Sequence, residues 1–249
     1  IRHKTEIANE FIGQVRQEEP FTSYPILSSP SPLHYRLRAQ LAIQNGQIGF
    51  YQKRSHAIVP IMTCPLLATP LNAALAFLAG DGMAALTGIS EVEIQGNDTG
   101  ELLIVLIGQG FSHDKRRSFF KLATAALSPV SLRGLIVYDR GKRFCVGDNT
   151  LTYTVRNKTM RVSDSSFIQT NRPMHNLLVE AVLGWVEGEH NRWLELHAGM
   201  GMFTLHLAEQ AESLTSIEAD SEAVKDARFN LAAAGIKNVQ LVPGHTERR

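Results

Sequence analysis

Cysteine is scarce in this chain of 249 residues, where only Cys64 and Cys145 occur. Two cysteines exclude a disulfide-rich scaffold and favour a reducing compartment, so we expect a cytoplasmic protein. No apolar run approaches the roughly 20 residues that a membrane-spanning helix needs, and the first residues lack the order of a signal peptide. These absences predict a globular protein without a membrane partner, and a hydrophobic fraction of 44% is enough for a substantial core.

Charge is distributed unevenly along the chain. Residues 1–160 hold 17 Lys and Arg against 12 Asp and Glu, whereas residues 161–249 hold 8 against 12. A basic front half favours contact with a polyanion such as a nucleic acid. Ordinary scatter of surface charge explains the asymmetry equally well, so composition alone leaves the partner open.

Residues 1–160 predict an α+β domain with an antiparallel sheet, because hairpin signals alternate with single helices. Asn45-Gly46 is the dipeptide that best fits a tight hairpin turn. The predicted helices cover 3–16, 69–78 and 115–127, and the predicted strands cover 34–43, 47–52, 90–96, 101–109, 134–139, 143–147 and 150–155.

Residues 161–249 change to alternating helices and strands. The predicted helices cover 173–186, 203–212 and 221–235, and the predicted strands cover 192–199, 213–220 and 238–242. Such alternation indicates a parallel sheet wound with right-handed crossovers. Ligands of these sheets bind at the carboxyl ends of the strands.

The first of those strand ends carries a glycine-rich stretch, "LELHAGMGMF" over 194–203. A dinucleotide site needs a third glycine, and that position is Thr204. A site for S-adenosylmethionine does not need this third glycine. Gly199 and Gly201 allow close backbone approach, and Glu218 can accept both ribose hydroxyls. The pattern therefore favours S-adenosylmethionine, while a tight turn without a ligand stays open.

Two motifs in this order carry a family resemblance. Phe167, Gln169 and Asn171 match Phe-x-Gln-x-Asn, and residues 194–205 match the glycine motif that follows it. The chain thereby resembles the RNA uracil-5-methyltransferase family, which makes 5-methyluridine in tRNA and ribosomal RNA. The segments "YRLRAQL" and "GFYQKRSHAIVPIMTCPLL" are also similar to that family.

The resemblance implies an α/β architecture, with the α+β domain followed by part of a Rossmann-like methyltransferase domain that uses S-adenosylmethionine. The cofactor contacts that it implies are Gln169, His197, Gly199, Gly201, Met202 and Glu218. In this assignment the turn over 197–202 wraps the methionine moiety and Glu218 binds the ribose. An alternative is that Gln169 and Asn171 only cap the following helix.

The same resemblance places Cys64 where iron–sulfur members have the last of four cluster cysteines. A [4Fe–4S] cluster normally needs four thiolates, so a cluster is expected only in a more complete protein, and Cys64 alone is a metal ligand without partners or a buried thiol. Cys145 is expected in the core.

In this family the cysteine that attacks carbon 6 of uracil, and the base that removes the proton at carbon 5, follow the fourth strand. Residues 161–249 reach only the third strand, so we expect a chain truncated at both ends and inactive by itself. An unpaired strand edge predicts self-association. An RNA-binding module with a vestigial cofactor site is the main alternative, and a nicotinamide-dependent oxidoreductase is disfavoured by Thr204.

Seven basic residues of the front half are the candidate RNA contacts: Arg36, Arg38, Lys53, Arg54, Lys115, Arg116 and Arg117. Such residues would bind phosphates without reading sequence, although a merely solvated surface stays open. Tyr35 and Tyr51 can stack on bases, but their alternation with polar residues favours core packing.

Overall fold

The computed structural model describes residues 2–15, 26–186 and 192–245. Its helices are α1 (Arg2–Val15), α2 (Thr69–Ala79), α3 (His113–Ala126), α4 (Met174–Trp185), α5 (Thr204–Leu207) and α6 (Ser221–Ala233), with a short 3-10 helix at Met83–Leu86. Its strands are β1 (Arg38–Gln44), β2 (Gln47–Tyr51), β3 (Ile58–Pro60), β4 (Ile89–Gly96), β5 (Glu101–Gly108), β6 (Ser131–Asp139), β7 (Lys142–Gly147), β8 (Thr150–Val155), β9 (Lys158–Ser163), β10 (Arg192–Leu196), β11 (Ser213–Glu218) and β12 (Val239–Pro243).

A seven-stranded sheet in the order β3-β2-β1-β4-β5-β6-β7 dominates the front half. The antiparallel sheet predicted above is confirmed for its other strand pairs, whereas β5 and β6 are parallel. The chain leaves β5, forms α3 and returns beside β5, and such a crossover makes the two strands parallel.

Side chains alternate between the two faces of the sheet, and the central strand β5 is buried on both of them. Val92 and Ile94 of β4 are fully buried, as are Leu71 and Leu75 of α2, which packs against β4. The opposite face is partly covered by the two-stranded antiparallel sheet of β8 and β9. Strand β9 was not predicted, and the boundary expected after residue 160 falls inside it.

A second sheet of three parallel strands, in the order β10-β11-β12, forms the back half. Together with α5 and α6 it confirms the Rossmann-like fold that the sequence predicted. Strand β10 is an edge strand among the described residues, and Leu194 and Leu196 are 63% and 49% exposed there.

Two local predictions fail. Helical periodicity over 173–186 predicts that Trp185 faces inward, but it is 76% exposed at the end of α4. The helix predicted over 203–212 is reduced to the four residues of α5. No helix in the described ranges combines the length and the apolar character needed to cross a membrane.

Candidate functional site

A tight turn over residues 197–203 joins β10 to α5, and we call it the glycine turn. His197, Gly199 and Gly201 have positive φ values of 60°, 58° and 93°. Glycine adopts this region without strain, which accounts for two of the three residue types. A Cβ placed on Gly199 would meet no atom within 4 Å, so the backbone there is open to an approaching molecule.

Glu218 ends β11 and directs its carboxylate at the glycine turn. One oxygen accepts a hydrogen bond from the Gly199 amide at 2.7 Å, and the other accepts from the amides of Ala219 and Asp220 at 2.8 Å each. Its backbone carbonyl also accepts from the Gly244 amide at 2.8 Å. A carboxylate offers about four lone-pair positions, so one position is left for a further hydroxyl.

Glu195 of β10 stabilises the C-terminal end of the glycine turn through Thr204. One carboxylate oxygen accepts hydrogen bonds from the Thr204 hydroxyl at 2.6 Å and from the Ser216 hydroxyl at 2.8 Å. Burial raises the pKa of this carboxyl. Thr204 therefore binds a half-buried carboxylate at the position where a dinucleotide-binding turn needs its third glycine.

Helix α6 ties the glycine turn to β9. The Asn230 side-chain amide donates to the carbonyls of Met200 at 3.0 Å and Arg161 at 2.9 Å, and its oxygen accepts from the Arg161 amide at 2.8 Å. A Cβ on Gly201 would lie 3.7 Å from Ala227 of the same helix. The turn and β9 are thus held at a set spacing by one side chain.

Asp226, one helical turn before Asn230, is fully buried and holds the segment that follows β9. Its carboxylate accepts four hydrogen bonds: from Arg161 Nε at 3.1 Å, from the Ser163 amide at 2.7 Å, from the Ser163 hydroxyl at 2.8 Å and from the Ser166 hydroxyl at 2.6 Å. Residues 167–171 begin directly after this anchor, so α6 positions both motifs found in the sequence.

The motif over 167–171 is fixed at its centre by α4. His175 is 1% exposed, and its Nε2 lies 2.7 Å from the carbonyl of Gln169. A carbonyl only accepts, so Nε2 carries the proton, while the buried Nδ1 has no hydrogen-bond partner. Burial lowers the pKa of His175. The Gln169 side chain stays exposed, and no hydrogen bond of the described residues joins it to the glycine turn.

Helix capping does not explain Asn171. Its side-chain amide exchanges hydrogen bonds with the Ser29 hydroxyl at 3.2–3.3 Å. The residue that precedes α4 is Pro173, which caps nothing with its side chain. The capping interpretation of the motif is therefore wrong for the residues seen here.

Comparison with known proteins shows the family of the chain. A family model described as tRNA (Uracil-5-)-methyltransferase matches residues 8–248. This chain belongs to that family.

Two relatives in the uracil-5-methyltransferase family are 23S rRNA (uracil(1939)-C(5))-methyltransferases RlmD. The Haemophilus ducreyi protein is 30% identical over 232 residues, which are 90% of this chain and 51% of the relative. The protein of Vibrio cholerae serotype O1 (strain M66-2) is 28% identical over 262 residues, covering 100% of this chain and 57% of the relative. The chain thus spans about half the length of the curated relatives it matches.

A solved structure has the same fold. The Pyrococcus abyssi tRNA (uracil-54, C5)-methyltransferase, crystallised with S-adenosyl-L-homocysteine, superimposes with a TM-score of 0.78 at 17% identity. The superposition covers 98% of this chain and 63% of the archaeal one.

Met202 does not fit the cofactor contact predicted for it. Its side chain is 7% exposed and belongs to the main hydrophobic core. Its carbonyl accepts from His206, whose Nδ1 lies 2.8 Å away. Met202 therefore supports the glycine turn from inside, whereas His197 stays exposed and keeps its predicted role as a candidate contact.

Arg38 is not the free surface cation that strand alternation predicted. Its side chain is 23% exposed and forms an ion pair with Glu93. The guanidinium also donates to the carbonyls of Ser166 at 2.8 Å and Asp164 at 3.4 Å. Arg38 thus joins residues 164–166 to β1, because these residues cover the polar face of that strand.

Arg36 is also partly enclosed. Its Nε is buried without a hydrogen-bond partner, and its backbone bridges to Leu67 and Asn171. The predicted phosphate contact at Arg36 remains a prediction. Its backbone, however, already connects the loop after Cys64 to the motif over 167–171.

Arg116 is a structural residue and corrects the basic cluster proposed at α3. It is 9% exposed, its guanidinium lies 3.9 Å from the centroid of the Phe144 ring, and it donates to the Phe111 carbonyl at 2.6 Å. The neighbouring Lys115 and Arg117 are exposed. So are Lys53 and Arg54 in the turn between β2 and β3, which leaves four exposed cations from the predicted set.

The two cysteines differ from each other. Cys64 is half-buried, and Asn72 bonds to both its amide and its carbonyl at 2.8 Å and 3.0 Å. No group of three or more His, Cys, Asp or Glu in the described ranges is arranged to hold a metal ion. Cys145 was expected in the core but is exposed on β7.

Sequence analysis missed Asp226 and Asn230, although a signal for them exists. They lie four residues apart on α6 and share its buried face with Ala223 and Ala227. Polar side chains in a buried helical stripe need partners. Their position therefore indicates hydrogen bonds to a neighbouring element.

Proposed function

We propose that this chain is part of an enzyme that transfers a methyl group from S-adenosylmethionine to carbon 5 of a uridine in tRNA or ribosomal RNA. One observation supports it above all. The open glycine turn and the Glu218 carboxylate, which has a spare lone pair, meet at the carboxyl ends of the adjacent parallel strands β10 and β11. Ligands of such sheets bind at these ends, and the chain belongs to the uracil-5-methyltransferase family.

The residues present fit this donor. Glu218 has room for a ribose hydroxyl without releasing any of its three amide donors, and the backbone at Gly199 is open to the methionine end. His197 and Gln169 are exposed side chains that would complete the site. Bound S-adenosylmethionine supplies an electrophilic methyl group, and these residues orient it.

The groups that would activate the uracil ring are not proposed from these residues. No cysteine follows Cys145, and that thiol is on the central sheet. We infer that residues 1–249 contribute the binding of donor and RNA. A [4Fe–4S] cluster in a more complete protein would take Cys64 and three further thiolates.

RNA binding would depend on the exposed cations Lys53, Arg54, Lys115 and Arg117, which contact phosphates and make affinity salt-dependent. Self-association through β10 is proposed because no described strand pairs with its outer edge and Leu194 and Leu196 are exposed on it. A cytoplasmic location stays a prediction from the sequence.

Calorimetry with S-adenosylmethionine, S-adenosylhomocysteine and NAD tests the proposal. We expect the first two to bind and NAD not to bind. Gly201→Ala should weaken donor binding because φ is +93° there, whereas Gly141→Ala, at φ +76° in the β6–β7 turn, applies similar strain elsewhere and should not. RNA binding without any donor binding would instead favour a binding module with a vestigial cofactor site.

A further inference from the structure

The turn between β2 and β3, residues 51–57, combines an exposed aromatic ring with free cations, and we call it the β2–β3 tip. Tyr51 is 52% exposed, although sequence alternation had favoured core packing for it. Lys53 and Arg54 are exposed, and neither forms an ion pair with a described residue. An aromatic ring beside unneutralised cations is the usual composition of a surface that binds single-stranded nucleic acid.

The ring of Tyr51 is accessible for a geometric reason. Tyr51 ends β2 opposite Ile58, and Gly49, two residues earlier on the same face, contributes no side chain. His56 contacts the ring in an edge arrangement, with centroids 6.5 Å apart and planes at 87°. A perpendicular neighbour covers at most one of the two ring faces, so a flat face remains for stacking.

The β2–β3 tip is held in one shape before any ligand arrives. The Gln52 amide donates to the Ala57 carbonyl at 2.8 Å, and the Ser55 amide donates to the Gln52 carbonyl at 3.0 Å. Gln44 of β1 donates to the His56 carbonyl at 2.7 Å. A surface that is already ordered loses little conformational entropy on binding.

We propose that the β2–β3 tip binds an unpaired nucleotide of the RNA, with the base stacked on Tyr51 and the flanking phosphates on Lys53 and Arg54. This inference rests on the proposed function, since it assumes an RNA substrate. The major groove of an A-form helix is too narrow for side chains to read, and its bases are stacked. A tyrosine platform therefore selects single-stranded RNA.

Fluorescence anisotropy tests the inference, using the chain of 249 residues with a labelled single-stranded oligouridine and a labelled RNA duplex as probes. Tyr51→Ala should weaken single-strand binding about tenfold, because stacking on one base is lost, and should leave the salt dependence unchanged. Tyr51→Phe keeps the ring and should bind like the parent. Lys53→Ala with Arg54→Ala should reduce the slope of log affinity against log salt by about 1.4.

Two controls separate stacking from misfolding. Trp185→Ala removes an aromatic residue that is 76% exposed on α4 and should not change oligouridine affinity. Thermal unfolding and S-adenosylmethionine calorimetry of each variant show whether the fold and the donor site persist. The stacking proposal is overturned if Tyr51→Ala binds oligouridine as the parent does, if Tyr51→Phe loses as much as Tyr51→Ala, or if duplex binding falls equally.

Failure of the inference and failure of the proposed function give different results. A parent chain that binds neither S-adenosylmethionine nor S-adenosylhomocysteine contradicts the proposed function. A parent chain that binds the donor and oligouridine, but is insensitive to Tyr51→Ala, contradicts the β2–β3 tip alone. A parent chain that binds no oligouridine at about 50 mM salt overturns the tip proposal as well.

Discussion

Replacing Asp226 by asparagine tests whether α6 really joins the two sequence motifs. The change keeps the shape of the side chain but turns one acceptor oxygen into a donor. The retained oxygen is best placed towards the Ser163 amide and the Ser166 hydroxyl, which are 2.7 Å and 2.6 Å away. The new amide group then faces Arg161 Nε, and the Ser163 hydroxyl can rotate to accept from it, whereas Arg161 cannot.

The structure sets the size of the effect. Asp226 is fully buried, and breaking such a buried pair costs about 3–5 kcal/mol. The Arg161 side chain is 31% exposed, so water compensates part of this loss. A charge-assisted hydrogen bond alone contributes about 1.5–3 kcal/mol. We therefore expect Asp226→Asn to lower the free energy of unfolding by about 2–3 kcal/mol.

Urea denaturation followed by circular dichroism measures this difference, and calorimetry with S-adenosylmethionine measures its effect on the glycine turn. Asp114→Asn is the matched control, since its side chain is 98% exposed and should change stability by less than about 0.5 kcal/mol. If Asp226→Asn unfolds at the same urea concentration as the parent, the buried carboxylate does not hold α6 in place and the reasoning is refuted.

Four further changes have defined outcomes. Glu218→Gln should reduce S-adenosylmethionine affinity about tenfold or more by calorimetry, because it removes a charged acceptor. Glu222→Gln, at a half-buried residue paired with Lys225, should not; equal affinities of the Glu218 variant and the parent would contradict the site. Burial raises the pKa of Glu195, so the folded state holds this proton more tightly. The free energy of unfolding should therefore rise as pH falls through the folded pKa. Glu195→Gln should remove this pH dependence of stability in urea titrations at several pH values. Burial lowers the pKa of His175, so stability should instead fall on acidification below about 6.5, and His175→Leu should flatten this loss. Arg116→Ala should lower the unfolding free energy by about 1–3 kcal/mol without weakening RNA binding in anisotropy; weakened binding in a stable variant would return Arg116 to the RNA surface.

Local sequence signals predicted the elements they directly determine. Asn45-Gly46 forms the expected tight turn, with φ values of 52° and 71°. Gly199 and Gly201, which were predicted to allow close backbone approach, both have positive φ values. At these positions the backbone conformation depends on the residue type itself, so a few neighbouring residues suffice to predict it.

Burial of particular side chains was harder to predict, because it depends on what packs against a face. Alternation placed Arg38 on the polar side of β1 correctly, but it does not reveal that residues 163–166 cover that side. Arg116 shows a different failure. It shares the buried stripe of α3 with Phe119 and Ala123, so helical periodicity indicated burial, but the run of three basic residues was interpreted as a surface cluster.

The hydrogen bonds of Glu218 connect the carboxyl ends of all three parallel strands. Its carboxylate accepts from the Gly199 amide in the turn after β10. Its backbone carbonyl accepts from the Gly244 amide directly after β12. A sugar hydroxyl that binds the remaining lone pair therefore meets a residue that is already restrained at both its side chain and its backbone. Donor occupancy should be detectable as reduced amide exchange at Gly244, which lies outside the contact region itself.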